Sequence, residues 1–290
     1  MKYLLLLMAL LPALAQAEPL PVVASFSVLG DMVRELGGAD VAVTSLVGPD
    51  GDTHVFQPSP SDARRLAAAR LFVVNGLGLE GWMPRLIDAA AFKGRVVTVT
   101  EGITPLQLTE AGKAAPDPHA WQDLSDGRIY ARNIAAALAA EDPAHAEDYA
   151  ARAAAYDAAL AALDDWVKAQ IATVQPERRK IITTHDAFQY FGHAYGVGFE
   201  APVGMDEDSE PDARAVAGLI RQIRQEHIRA LFIENMTDPR LLDQLARETG
   251  AKPAGTLLSD ALSKPGEGGE TYVGLFRHNV PAMVAAMTAE

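Results

Sequence analysis

Eight short runs rich in Val, Ile and Phe, falling in two groups of four, constrain the fold of this chain more than any other feature. The first group is Val22–Val28, Val41–Val47, Leu71–Asn75 and Val96–Thr100; the second is Lys180–Thr184, Phe199–Val203, Ala230–Glu234 and Pro253–Leu258. Helix-forming stretches separate them, among them Ser61–Ala69, Glu80–Ala91, Pro211–Glu226 and Pro239–Thr249. Strands that alternate with helices pair in parallel, with helices on both faces of the sheet. Between the groups, Ala144 to Val174 is Ala-rich and contains neither Gly nor Pro. It follows Pro143, a residue suited to a helix start, and repeats Leu160, Leu163, Val167 and Ile171 at helical spacing. A helix of that length runs roughly 45 Å and can lie across both groups as a strut. The expected fold is therefore α/β: two lobes, each with a four-stranded parallel sheet and flanking helices, joined by one long rigid helix. The expected division is a signal peptide at 1–17, an amino-terminal lobe at 18–143, a linking helix at 144–174 and a carboxy-terminal lobe at 175–290.

The leader rests on Met1-Lys2-Tyr3, an apolar run from Leu4 to Ala15, and the small-residue site Ala15-Gln16-Ala17. An apolar run this short does not span a bilayer, which takes about 20 residues. The chain contains no Cys, which removes disulfides, thiolate metal sites and a lipid-bearing cysteine at the cleavage site. These features predict a product that is periplasmic, secreted by its signal peptide, and not lipidated. With 38 acidic and 25 basic side chains the formal net charge is −13, so a nucleic acid or an anionic membrane surface is a poor partner.

Four side chains capable of holding a metal follow strands. His54 lies in Gly48-Pro49-Asp50-Gly51-Asp52-Thr53-His54, after the second run, and His119 in Asp117-Pro118-His119-Ala120-Trp121, beyond the fourth. His185 ends Ile181-Ile182-Thr183-Thr184-His185, at the fifth, and Asp260 follows the last in Leu258-Ser259-Asp260. Open parallel sheets bind ligands beyond the carboxyl ends of their strands, so two candidates come from each lobe and meet in the cleft between them. A single loop histidine is most often a surface residue; the joint placement carries the argument. Three imidazoles and one carboxylate make a closed tetrahedral set for Zn²⁺ and leave no open position for a catalytic water. There is no His-Glu-x-x-His run. The set therefore reads as metal capture and not as an enzyme, with a periplasmic zinc hydrolase as the rival. His145, His193, His227 and His278 lack this placement. Asp117, Asp123 and Asp186 are candidates to orient a ligand imidazole through its second nitrogen, and Trp121 to wedge its loop. Neutral imidazole is required for ligation, so binding is expected to weaken as pH falls through the region near 6.5. Asp260→Ala is expected to be milder than loss of His119 or His185, because water can fill a fourth position.

Four segments, taken in order, resemble one family: His54-Val55-Phe56-Gln57-Pro58-Ser59-Pro60-Ser61-Asp62, Asn75-Gly76-Leu77-Gly78-Leu79-Glu80-Gly81-Trp82, Asp117-Pro118-His119-Ala120-Trp121 and Thr184-His185-Asp186-Ala187-Phe188-Gln189-Tyr190-Phe191. The family is the cluster A-I (cluster 9) substrate-binding proteins of ABC transporters, which carry zinc or manganese. The resemblance runs from about Val22 to Met287. It implies that His54, His119, His185 and Asp260 ligate the metal, one Zn²⁺ per chain, and that the loaded protein docks on a permease in the inner membrane. Manganese-specific members commonly have a carboxylate at the third ligand position, where this chain has His185; nitrogen-rich sites suit zinc. Manganese or iron is the alternative cargo. Many zinc-binding relatives carry a His-rich loop before the second histidine, and Gly102 to Pro118 has no His. Its absence leaves room for a periplasmic zinc donor protein. The chain is expected to act as a monomer.

Overall fold

The computed structural model describes residues 18–110, 113–202, 213–226, 228, 230–251 and 253–289. The expected signal peptide at 1–17, the start of the Pro211 helix and His227 lie outside the described residues. In chain order, β1 (Leu20–Phe26) is followed by α1 (Ser27–Gly37), β2 (Val41–Val47), α2 (Pro60–Ala68), β3 (Leu71–Val74), α3 (Met83–Ala90) and β4 (Arg95–Thr98). A hairpin of β5 (Gln107–Glu110) and β6 (Lys113–Pro116) leads into α4 (Leu124–Glu141) and α5 (Ala146–Ala172). The second half runs β7 (Lys180–Ile182), α6 (Gln189–Tyr195), β8 (Gly198–Glu200), α7 (Ala213–Glu226), β9 (Ala230–Glu234), α8 (Arg240–Thr249), β10 (Pro253–Leu257) and α9 (Tyr272–Thr288).

The two four-stranded sheets have the orders β2-β1-β3-β4 and β10-β9-β7-β8, and every pairing in them is parallel. Read from its other edge, the second sheet is β8-β7-β9-β10. Both sheets are therefore wound alike: the first strand is interior, the second lies on one side of it, and the third and fourth lie on the other. The expected α/β architecture of two parallel sheets flanked by helices is present. The first strand differs in register from the expected Val22–Val28. Pairing with β2 runs from Leu20↔Val41 to Phe26↔Val47, and Ser27 and Val28 already belong to α1.

Helix α5 is 27 residues long, roughly 40 Å at 1.5 Å per residue. Tyr149, Tyr156, Leu160, Leu163, Val167 and Ile171 are its buried residues, with spacings of three, four and seven that keep them on one stripe. That stripe packs on α1 and α4 in the first half and on α6 and α9 in the second. Full burial of one such Leu or Val contributes about 1.5–3 kcal/mol, so the stripe binds both halves to one strut. Helix α9 adds a second tie: the Tyr272 backbone N–H donates to Asp31 Oδ2 of α1 at 2.7 Å. The main hydrophobic core is continuous from Leu20 through α5 to Met287. A smaller cluster, including Ile182, Leu219, Ile223, Leu231 and Leu245, lies where α7 and α8 cover the second sheet. Among the described residues no helix is long and apolar enough to cross a membrane.

Gly127 of α4 makes room for the side chain of Tyr272, the first residue of α9. A Cβ there would stand 2.3 Å from the hydroxyl of Tyr272, whose ring is fully buried. Gly127→Ala is expected to destabilise the protein by about 1–3 kcal/mol, as overpacking of a filled core does. Chemical denaturation would measure it, and an unchanged midpoint would mean that the two helices slide apart without cost.

Candidate metal centre

The four candidate side chains are brought together from positions up to 206 residues apart. His54 leaves the loop after β2, His119 follows the β5–β6 hairpin, His185 stands three residues past β7, and Asp260 three past β10. The Nε2 atoms of all three histidines turn toward Asp260 Oδ2, at 3.0 Å from His54, 3.7 Å from His119 and 3.3 Å from His185. The Nε2 atoms of His54 and His119 are 3.3 Å apart. All four donor atoms lie within 4.8 Å of one another. A tetrahedral ion with ligands at 2.0–2.1 Å holds its donors about 3.3 Å apart, which matches this spacing. His119, His185 and Asp260 are fully buried, and only the His54 side chain reaches solvent, at 10% exposure.

Each buried imidazole is held from behind. His119 Nδ1 lies 2.7 Å from Asp117 Oδ1, which also accepts the His119 backbone N–H at 2.9 Å. His185 Nδ1 lies 2.7 Å from Glu234 Oε2. The other oxygen of Glu234 accepts from the backbone N–H groups of Thr184 and His185, both at 3.0 Å, and from the Thr184 hydroxyl at 2.7 Å. These carboxylates fix the ring orientations and direct Nε2 into the cleft. Asp117 was one of the three expected orienting acids. The other two act elsewhere: Asp123 caps α4 through the Ser125 N–H at 2.7 Å, and Asp186 accepts from Gln189 at 2.6 Å. Glu234 has the role that sequence reasoning left unassigned. Its signal was its place at the carboxyl end of β9, the same edge that singled out the ligand candidates.

Trp121 is the expected wedge. Its Nε1–H donates to the Ser259 carbonyl at 2.9 Å, and Gln122 Nε2 donates to the same oxygen at 3.0 Å. The loop of His119 thereby grips the residue before Asp260, across the cleft. The loop of His54 crosses in the same way. Asp50, in the left-handed region at φ 54°, accepts from Asn235 Nδ2 at 2.8 Å and pairs with Lys264 Nζ at 2.8 Å. Its own N–H donates to the Leu262 carbonyl at 3.1 Å. Asp tolerates that backbone region better than most residues do. Of the remaining histidines, His145 pairs with Asp142 at 2.6 Å and His278 lies 3.0 Å from the Thr256 carbonyl, both away from the cleft.

Burial opposes charge on His119, but Asp260 and Asp117 outweigh it and lift the imidazole to about 9. His185 is likewise held well above its ordinary range, because Glu234 and Asp260 overcome the penalty of burial. Asp260 is held well below the usual carboxylate range, since the same two imidazoles overcome its own burial. Without a cation, the site keeps protons where a metal would bind. These shifts argue for a window of binding loss above the expected 6.5, because that value belongs to a solvated imidazole without buried acids around it. The geometry argues against the expected mildness of Asp260→Ala: Asp260 Oδ2 stands 3.0–3.7 Å from all three Nε2 atoms, at the middle of the group.

Comparison with known proteins bears on the same residues. The family model described as "Zinc-uptake complex component A periplasmic" matches residues 22–286. The manganese-binding lipoprotein MntA of Halalkalibacterium halodurans is 32% identical over 271 residues, covering 93% of this chain and 89% of that protein. The iron ABC transporter substrate-binding lipoprotein MtsA of Streptococcus pyogenes is 30% identical over 275 residues, covering 92% and 88%. Among solved structures, the periplasmic zinc binding protein TroA from Treponema pallidum superposes with a TM-score of 0.88 at 31% identity, covering 94% of this chain and all of that one. The expected localisation does not stand beside these relatives. MntA and MtsA are both named lipoproteins, so a free, unlipidated product is not the rule among similar proteins, and that expectation is withdrawn.

Proposed function

Because the chain belongs to the zinc-uptake complex component A family of metal-binding ABC-transporter substrate-binding proteins, we propose that its cargo is Zn²⁺, one ion per chain, held by His54, His119, His185 and Asp260. Members of this family are binding components of importers that work with a permease and its ATPase, and they are not enzymes. The observation that carries zinc is the third nitrogen donor. His185 Nε2 stands where an oxygen donor would shift the set toward harder ions, and a three-nitrogen, one-oxygen set suits zinc. The spacing of the donors at tetrahedral edges and the zinc named for TroA support the same choice.

In this reading the lobes 18–143 and 175–290 are kept at a set distance by 144–174, and the ion enters past His54, the one proposed ligand that reaches solvent. Release to the permease then requires the His54 loop to let go of Asn235, Lys264 and Leu262. A second reading, manganese or iron, is favoured by the names of MntA and MtsA. The deciding experiment strips the protein, offers equimolar zinc and manganese, and counts bound metal per chain. One zinc with little manganese is expected. Preferential manganese would replace the cargo but keep the transport role, and no tight metal would remove the four residues from the site.

A further inference from the structure

A groove of about 860 Å³ lies on the outside of the first lobe, between α2 and α3, and it has no part in holding the metal. Its floor is apolar and small: Ala63 and Ala67 from α2, Leu86 from α3, and the ring of Trp82. Its walls carry Arg64 on one helix and Arg85 on the other, both exposed and both without a hydrogen-bond or ion-pair partner among the described residues. In a chain with a formal net charge of −13, these two guanidinium groups place unpaired positive charge over one apolar floor. Guanidinium is built to receive carboxylates in a bidentate fork.

The groove also abuts the metal loop. Trp82 Nε1–H donates to the Thr53 carbonyl at 2.9 Å, one residue before His54. Phe56, two residues after His54, packs its ring edge-on to Trp82 with centroids 5.0 Å apart. Gln57 and Pro58 then form the groove's rim. Whatever fills the groove touches the segment that carries the most exposed ligand.

We propose that this groove docks a carboxylate-bearing segment of the transporter's membrane permease, and that docking there bears on the His54 loop through Trp82. The proposal rests on the transport reading above. Its test compares three metal-loaded proteins for binding to the purified permease–ATPase complex in lipid nanodiscs: the wild type, Arg64→Glu/Arg85→Glu, and Lys93→Glu/Arg95→Glu. The last pair changes the net charge equally but does not line the groove. The groove variant is expected to bind the complex at least about tenfold more weakly, with a shallower dependence on salt. Its zinc affinity should stay within about twofold of wild type, because neither arginine is one of the four candidate donors or hydrogen-bonds to one. Equal binding by the groove variant, or an equal loss in the control, overturns the groove and leaves the transport reading intact. Failure of the metal-loaded wild type to bind the complex overturns both.

Discussion

Asp260→Ala is expected to weaken zinc binding by more than about 100-fold, as much as His119→Ala or His185→Ala. Loss of an outer carboxylate that merely orients a ligand already costs about 10–100-fold. Asp260 does more than orient. Its Oδ2 lies 3.0–3.7 Å from all three Nε2 atoms, and it is the only carboxylate in the group of four candidate donors. It is also fully buried, so its charge acts on the ion with little solvent screening. Asp260→Asn keeps the shape and removes the charge, and it guards against a folding failure in the alanine variant. Glu234→Gln should fall in the 10–100-fold range, because it loosens His185 without removing a donor. Competition against a chromogenic chelator reads all of these on one scale. Affinity for Asp260→Asn within tenfold of wild type would remove this carboxylate from the centre of the site.

The second large effect is on pH. His119 is lifted to about 9 and His185 held well above the ordinary 6.5, so both imidazoles favour their protonated forms in the metal-free protein. A bound divalent metal must displace those protons, so roughly two should leave per ion bound. Affinity should then rise about tenfold per displaced proton for each pH unit, or about 100-fold from pH 7 to 8. Stability of the metal-free protein should move the opposite way. A folded-state imidazole raised above its unfolded value contributes stability that is fully present below about 6.5 and is lost as pH rises through about 9. Asp260, depressed in the folded state, contributes above its ordinary 3.8 and loses that contribution as pH falls below it. Calorimetry in buffers of different ionisation enthalpy counts the protons directly. A count of zero at pH 7, with affinity flat to pH 8, would mean that the buried acids do not charge these rings.

How much of this was legible beforehand follows from range. The strands Val41–Val47 and Ala230–Glu234 appear where their β-branched runs put them, because alternation and propensity are local properties. The hairpin of Gln107–Glu110 and Lys113–Pro116 escaped notice, since neither strand has the apolar run of a buried one. Helices α4 and α9 also went unassigned. Helix α9 buries one stripe, Tyr272, Leu275, Phe276, Val280, Met283 and Met287, but apolar residues beside it such as Val273 and Val284 and the internal Pro281 blur that period in the sequence, and α4 carries Gly127 to admit a tyrosine from far along the chain. The four metal-ligand candidates were readable because a parallel sheet exposes its carboxyl-end loops on one edge, whichever side chains fill the core. Glu234 was read as the end of a strand because nothing near it in sequence reveals that His185 will lie against it.

The identity of the candidate donors and their placement at the sheet edges were legible in the sequence alone, for both depend on residue type and local periodicity. Distances, protonation and the hierarchy among the four residues were decided only by the tertiary structure. Electrostatic work in a buried site depends on which charges are near and on how much water is gone, and His54 and Asp260, 206 residues apart, acquire both only when the lobes pack.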